Sequence, residues 1–220
     1  MRGVARRARE EAVAELEQCE LCGEPIGAEH AHLLDLRTHQ PMCACQGCRI
    51  LFDRPAAGGG HYRLIGDRRL LLADFALDDV TWADLRIPVE MAFLLKVAAE
   101  PEQEGGEAEL PGEAADGSHV QAFYPSPMGP TESLLELGAW SELERLNPVL
   151  REMEPEVEAL LVNRARGARQ HFIVPITDAY SLVALIRTRW RGLSGGEEVW
   201  AEIDSFFERL ESGSKTYAKS

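Results

Sequence analysis

Cys19-Glu20-Leu21-Cys22-Gly23 and Cys43-Ala44-Cys45-Gln46-Gly47-Cys48 hold all five cysteines of this 220-residue chain. Each stretch contains a Cys-x-x-Cys pair. A turn of that length lets two thiolates face one ion, and Gly23 permits the positive φ that closes it. Cys19, Cys22, Cys45 and Cys48 are therefore expected to form a tetrahedral all-sulfur site. The 22 residues between Cys22 and Cys45 are slightly more than such sites usually have, and a hairpin spans them. Cys43 is the spare, close enough to stand in for Cys45. A secreted disulfide scaffold would spread an even number of cysteines through a small domain; five in one short segment point to reduced thiols and a cytoplasmic location. Zinc is the first expectation for a closed site of four thiolates. Iron in a rubredoxin-like site is the second, and an iron–sulfur cluster, which could employ a fifth thiol, the third.

Glu29-His30-Ala31-His32-Leu33-Leu34-Asp35-Leu36 lies between the pairs. On a strand, residues two apart share a face, so His30 and His32 point the same way. With Glu29 or Asp35 they could hold a second, transient ion, or one of them could replace a cysteine in the first site. The plainer reading is a hairpin strand with two exposed or hydrogen-bonded imidazoles.

Outward from this module the pattern is α+β. Residues 1–18 are expected to carry a helix, since Ala5, Ala8, Ala12, Val13 and Leu16 follow helical spacing. Residues 19–54 form the zinc-ribbon-like module, and Pro55 with Gly58–Gly60 marks its exit. Residues 61–211 are expected to fold as an antiparallel sheet with helices packed on one face. In that span, His61–Ile65 and Arg69–Leu72 read as a hairpin, Trp82–Leu85 as a short helix, and Met91–Val97 and Val120–Tyr124 as a hairpin interrupted by an insertion. Residues 100–118, with seven acids and no Lys or Arg, read as that insertion and as disordered. Tyr124–Pro130, with three prolines, reads as a stiff loop. Helical stretches are expected from Thr131 to Leu137, from Ser141, and between Pro148 and Pro155. Val157–Asn163, His171–Pro175 and Tyr180–Arg187 read as three strands. The last helix is capped by Ser194 and Glu197 and carries Val199, Trp200, Ile203, Phe206, Phe207 and Leu210 as one apolar stripe. The tail, 212–220, reads as flexible.

Apolar residues make up 45% and charged residues 27%, which fits a soluble globular protein. No apolar run approaches the roughly 20 residues of a membrane span, and the start lacks the apolar core of a secretory signal. A net charge of −14 argues against general nucleic-acid binding. Six arginines nevertheless crowd 161–191. Arg164, Arg166 and Arg169, and Arg189 and Arg191 beside the glycines 192, 195 and 196, are the candidate anion- or partner-binding groups. There is no P-loop, dinucleotide fingerprint, H-E-x-x-H or nucleophile elbow. No catalytic residue is assigned, and an enzyme is the less favoured reading.

Several stretches together carry a family resemblance: Cys19–Gly23, His30–Asp35, Cys43–Cys45, Phe123–Gly129, Asn163–Gly167 and Thr188–Gly196. On these, the sequence from about Cys19 to Leu210 resembles an uncharacterised bacterial family whose genes often lie in clusters for nickel–iron uptake hydrogenases. The acidic insertion departs from the family pattern. The resemblance implies context rather than chemistry: assembly, maturation or electron supply of a hydrogenase, with a hydrogenase subunit or maturation factor as partner. Three functions are thus expected to compete. One is a zinc-containing accessory protein, the next a rubredoxin-like iron carrier, and the last an enzyme holding an anionic substrate at the arginines.

Overall fold

The computed structural model describes residues 17–54, 59–97, 119–133, 137–192 and 195–218. The chain divides between Gly66 and Asp67 into two units. In the first, Ala31–Asp35 (β1) is the middle strand of a three-stranded antiparallel sheet, flanked by Gln40–Ala44 (β2) and Tyr62–Ile65 (β3). A helix, Gln46–Phe52 (α1), follows β2 directly. The core of this unit is small: Cys19, Ile26, Leu33, Ala44 and Cys48, with Leu21, Phe52 and Leu64 against it. Two of its five buried members are cysteines, so the sulfurs belong to the packing.

The second unit is built on a seven-stranded sheet. Its strands are Leu70–Leu72 (β4), Met91–Val97 (β5), His119–Ser126 (β6), Gly129–Ser133 (β7), Glu158–Asn163 (β8), Gln170–Pro175 (β9) and Lys215–Tyr217 (β10). The order is β10-β4-β9-β8-β5-β6-β7, antiparallel throughout except where β10 lies parallel to β4. Its helices are Asp79–Asp84 (α2), Leu137–Leu146 (α3), Ile176–Arg189 (α4) and Glu197–Gly213 (α5), with a 3₁₀ turn at Pro148–Glu152. The α+β class with antiparallel sheets is as the sequence indicated. The helices, however, cover both faces of the large sheet rather than one. Ala92 and Leu94 of β5 pack with Trp140 and Leu143 of α3. On the other side Phe93 meets Tyr180 of α4 at 6.1 Å between ring centroids, and Phe172 stacks on Phe207 of α5. Double coverage explains why all seven residues of β5 are buried.

Several expectations are corrected. His61–Ile65 and Arg69–Leu72 do not form a hairpin. Tyr62–Ile65 pairs with β1 in the ribbon, and Leu70–Leu72 with β9 and β10. The expected third strand, Tyr180–Arg187, is part of α4, where Ile176, Ala179, Leu182, Val183 and Ile186 are buried at helical spacing. The proline-rich loop at 124–130 is a tight hairpin: Pro125 lies opposite Pro130 at the outer end of β6 and β7, where no ladder bond requires their missing N–H. Thr131–Ser133 is strand, not helix, and Ser141 lies inside α3. The tail is anchored: β10 donates from Lys215 N–H to the Arg69 carbonyl and accepts at the Tyr217 carbonyl from Ala73 N–H. The expected helix before residue 17, the acidic insertion and the Ser194 cap lie outside the described residues.

Two forked ion pairs fix the start of β4. Arg68 donates to both carboxylate oxygens of buried Glu158, and Arg69 to both of Asp178 on α4. Because β10 extends the sheet from β4, ending the chain after Ser212 is expected to lower the stability of this unit by about 1–3 kcal/mol, from lost ladder bonds and the burial of Tyr217. Denaturant unfolding of the full and shortened chains measures this; equal midpoints would show that β10 contributes nothing.

Candidate metal centre

The first cysteine pair sits in a tight turn. Gln18 and Pro25 form its closing bridge, Cys19 N–H donates to the Glu24 carbonyl (2.9 Å), and Gly23 N–H to the Cys19 carbonyl (2.8 Å). Gly23 has φ 76°, the conformation expected of it. The second pair is built differently. β2 ends at Ala44, and Cys45, extended at φ −70° and ψ 164°, is the N-cap of α1. Its sulfur accepts from Cys48 N–H at 3.4 Å, so Cys45-x-x-Cys48 is the first turn of a helix and not a second knuckle. The β1–β2 hairpin covers the long gap between the pairs. Glu20 N–H donates to the Cys43 carbonyl and ties the turn to the end of β2.

This brings Cys19, Cys22, Cys45 and Cys48 together with their sulfurs within 4.8 Å of one another. Cys22 Sγ and Cys45 Sγ are 3.6 Å apart. A tetrahedron of sulfurs around zinc or iron, with bonds of about 2.3 Å, has edges of roughly 3.8 Å. The four thiols are free, and at this spacing they could hold one ion. Cys19 and Cys48 are buried, whereas Cys22 is exposed. Burial pushes the Cys19 thiol up, but backbone N–H groups of Cys45, Leu21 and Cys22 outweigh it and bring it down to about 6. Burial, reinforced by the three neighbouring thiols, pushes Cys48 far up. Cys19 is thus readily ionised, and a cation between the sulfurs would favour the thiolate of Cys48 as well.

Cys43 stands apart from the tetrad. It lies directly opposite His32 across the β1–β2 ladder, and with His30 and His32 forms a second group whose ligand atoms lie within 4.8 Å of one another. Neither carboxylate expected beside the histidines joins them: Asp35 is held by Arg37 through both oxygens, and Glu29 is exposed. The acids that do approach are Glu17, 3.4 Å from His30 Nδ1, and Glu20, which accepts from Cys43 N–H. Glu20 stands inside the first Cys-x-x-Cys, the one sequence signal that could have flagged it.

The arginines separate. Arg164 is buried; it donates to the Leu77 and Asp78 carbonyls and the Asp79 carboxylate, and lies over the Trp82 ring at 5.3 Å. Arg169 donates to the same carboxylate. Asp79 and Trp82, which composition gave no reason to single out, are thus their partners. Arg166 adopts φ 54°, which turns it away from Arg164 and over Trp200, 3.9 Å from Asp204. Arg189 faces Glu202 at 3.4 Å, and Arg191 donates to the Trp190 carbonyl. In the adjoining glycines, a Cβ on Gly195 would meet Val199 and the Trp190 ring at 2.8 and 2.9 Å, so this residue serves packing.

A family model matches residues 18–214, which include the five cysteines, both histidines and the arginines described above. The chain belongs to a family of unknown function, DUF5947. No curated protein and no solved structure matches it. Among the described residues, no helix is long and apolar enough to cross a membrane.

Beside the arginines, His171 stacks on Phe75 and is buried. Burial, with Arg164 and Arg169 adding to it, lowers its imidazole from 6.5 to about 4. The folded chain therefore holds it neutral, while an unfolded chain takes up a proton as pH falls. Its contribution is present above pH 6.5 and is lost as pH falls toward 4. Unfolding midpoints between these values are expected to decline with acid in the wild type and less steeply in His171→Phe; identical slopes would contradict this.

Proposed function

We propose that this chain is a zinc-binding accessory protein that acts in the cytoplasm, in assembly or maturation of a nickel–iron hydrogenase, through contacts with a hydrogenase subunit or maturation factor. The observation that carries the metal part is the tetrad: four sulfurs from two chain segments converge at the spacing one tetrahedral ion requires. Zinc is favoured because a closed thiolate set suits a structural ion in a unit whose own core is small. The hydrogenase context rests on the resemblance carried by Cys19–Gly23, Phe123–Gly129 and Thr188–Gly196.

Two surfaces support a role by contact. Ile50 and Leu51, on α1 next to Cys48, are 55% and 53% exposed, unusual for large apolar side chains. Arg166, Arg189 and Arg191 keep exposed guanidinium groups suited to carboxylates on a partner.

Recovery of the tagged full chain from native cells, with metal quantified in the same eluate, tests the proposal. It predicts about one zinc per chain and a hydrogenase subunit or maturation factor among the bound proteins. Cys22→Ser with Cys45→Ser should lose the zinc, and Ile50→Asp with Leu51→Asp should keep the zinc and lose the partner. Iron in place of zinc would favour a rubredoxin-like carrier instead. A metal-free eluate with a folded ribbon would overturn the metal assignment, and partners unrelated to hydrogenases would overturn the context.

A further inference from the structure

We propose that His30, His32 and Cys43 form a second metal site, distinct from the tetrad, that takes a divalent transition ion of the zinc, cobalt or nickel class and leaves one coordination position open. The register builds it. His32 and Cys43 are a cross-strand pair, and His30 precedes His32 by two residues on the same face. One nitrogen from each ring and the Cys43 sulfur lie within 4.8 Å of one another, and the ring centroids are 4.6 Å apart. Small side-chain rotations close that spacing to the edge of a coordination tetrahedron.

The state of His30 is the second observation. Its side chain is 8% exposed. Nδ1 lies 2.8 Å from the Gly27 carbonyl. A carbonyl oxygen only accepts, so Nδ1 carries the proton and Nε2 keeps a lone pair. Nε2 is buried and has no hydrogen-bond partner. A buried imidazole nitrogen without a partner is costly. Backbone support on the opposite nitrogen is the arrangement that orients a metal-binding histidine.

Two imidazoles and one thiolate are borderline-soft donors, which selects transition ions over magnesium or calcium. With the thiol ionised, a divalent ion leaves one net positive charge. Glu17 and Glu20, at His30 Nδ1 and Cys43 N–H, are placed to balance it. Three protein ligands instead of four are the mark of a site that exchanges its ion or binds a further ligand. The turn at Cys45 keeps the two sites apart: Cys43 is on β2 facing the histidines, and Cys45 opens α1 facing the tetrad.

The test is titration of the full chain with Co²⁺ under reducing, oxygen-free conditions, after brief chelation that leaves tightly held metal in the tetrad. The expected result is one further equivalent of Co²⁺, with a thiolate-to-cobalt charge-transfer band and shifted His30 and His32 ring resonances. Cys43→Ser should abolish the band, and His32→Gln should weaken Co²⁺ binding at least about tenfold. Both variants should retain the tetrad's metal, which also reports that the ribbon is folded. No uptake beyond the tetrad overturns the proposal, as does a further equivalent that both variants bind as the wild type does.

Discussion

Four sulfur atoms within 4.8 Å of one another cannot all be thiolates unless a cation sits between them. That constraint organises the first unit. Cys19 and Cys48 are two of its five buried core residues, and the sheet they pack against has only three short strands. A core of this size contributes little stability, so an ion at the tetrad would join the 17–26 turn to the start of α1 where apolar contact alone is thin. The same hairpin that closes the tetrad places Cys43 opposite His32, so a single register serves both clusters.

The second unit solves a different problem. Its central strands are covered on both faces, and several of the polar groups taken inside are paired or bonded, although Trp140 Nε1 and His171 Nε2 are buried without a hydrogen-bond partner. Glu158 is gripped by Arg68 and Glu154 N–H, Asn147 by the Ala76 backbone, and Lys96 stands 3.4 Å from Glu144 in the core. Removing one partner of such a pair costs more than the pair contributes, so these groups fix the arrangement of strands and helices more than they add stability. Arg164 belongs to this class. In space it is buried and bonded to the Leu77 and Asp78 carbonyls and the Asp79 carboxylate.

What could be read from the sequence follows from how local each signal is. The tetrad was legible because cysteine spacing is a geometric statement about one ion. The final helix was legible because its stripe is long and regular. Tyr180–Arg187 was misread because Val183, Leu185 and Ile186 suggest a strand by composition, while the burial that makes the segment helical comes from a sheet formed elsewhere. The hairpin at 124–130 was hidden by its prolines, which are tolerated because β7 is an edge and Pro125 lies beyond the part of β6 that pairs with β5. The tail lacked any apolar run, and its place as a strand depends on β4 offering a free edge. The grouping of Cys43 with the histidines was half visible: the shared face of His30 and His32 is a strand property, but the partner opposite them is set by register, which no single segment encodes.

An ion held between the four sulfurs would carry the record of their arrangement in its first coordination shell. X-ray absorption at that ion's edge, on the full chain as isolated and briefly chelated, reads it directly. Four sulfur neighbours at about 2.3 Å are the expected result. A shell dominated by nitrogen or oxygen would contradict it.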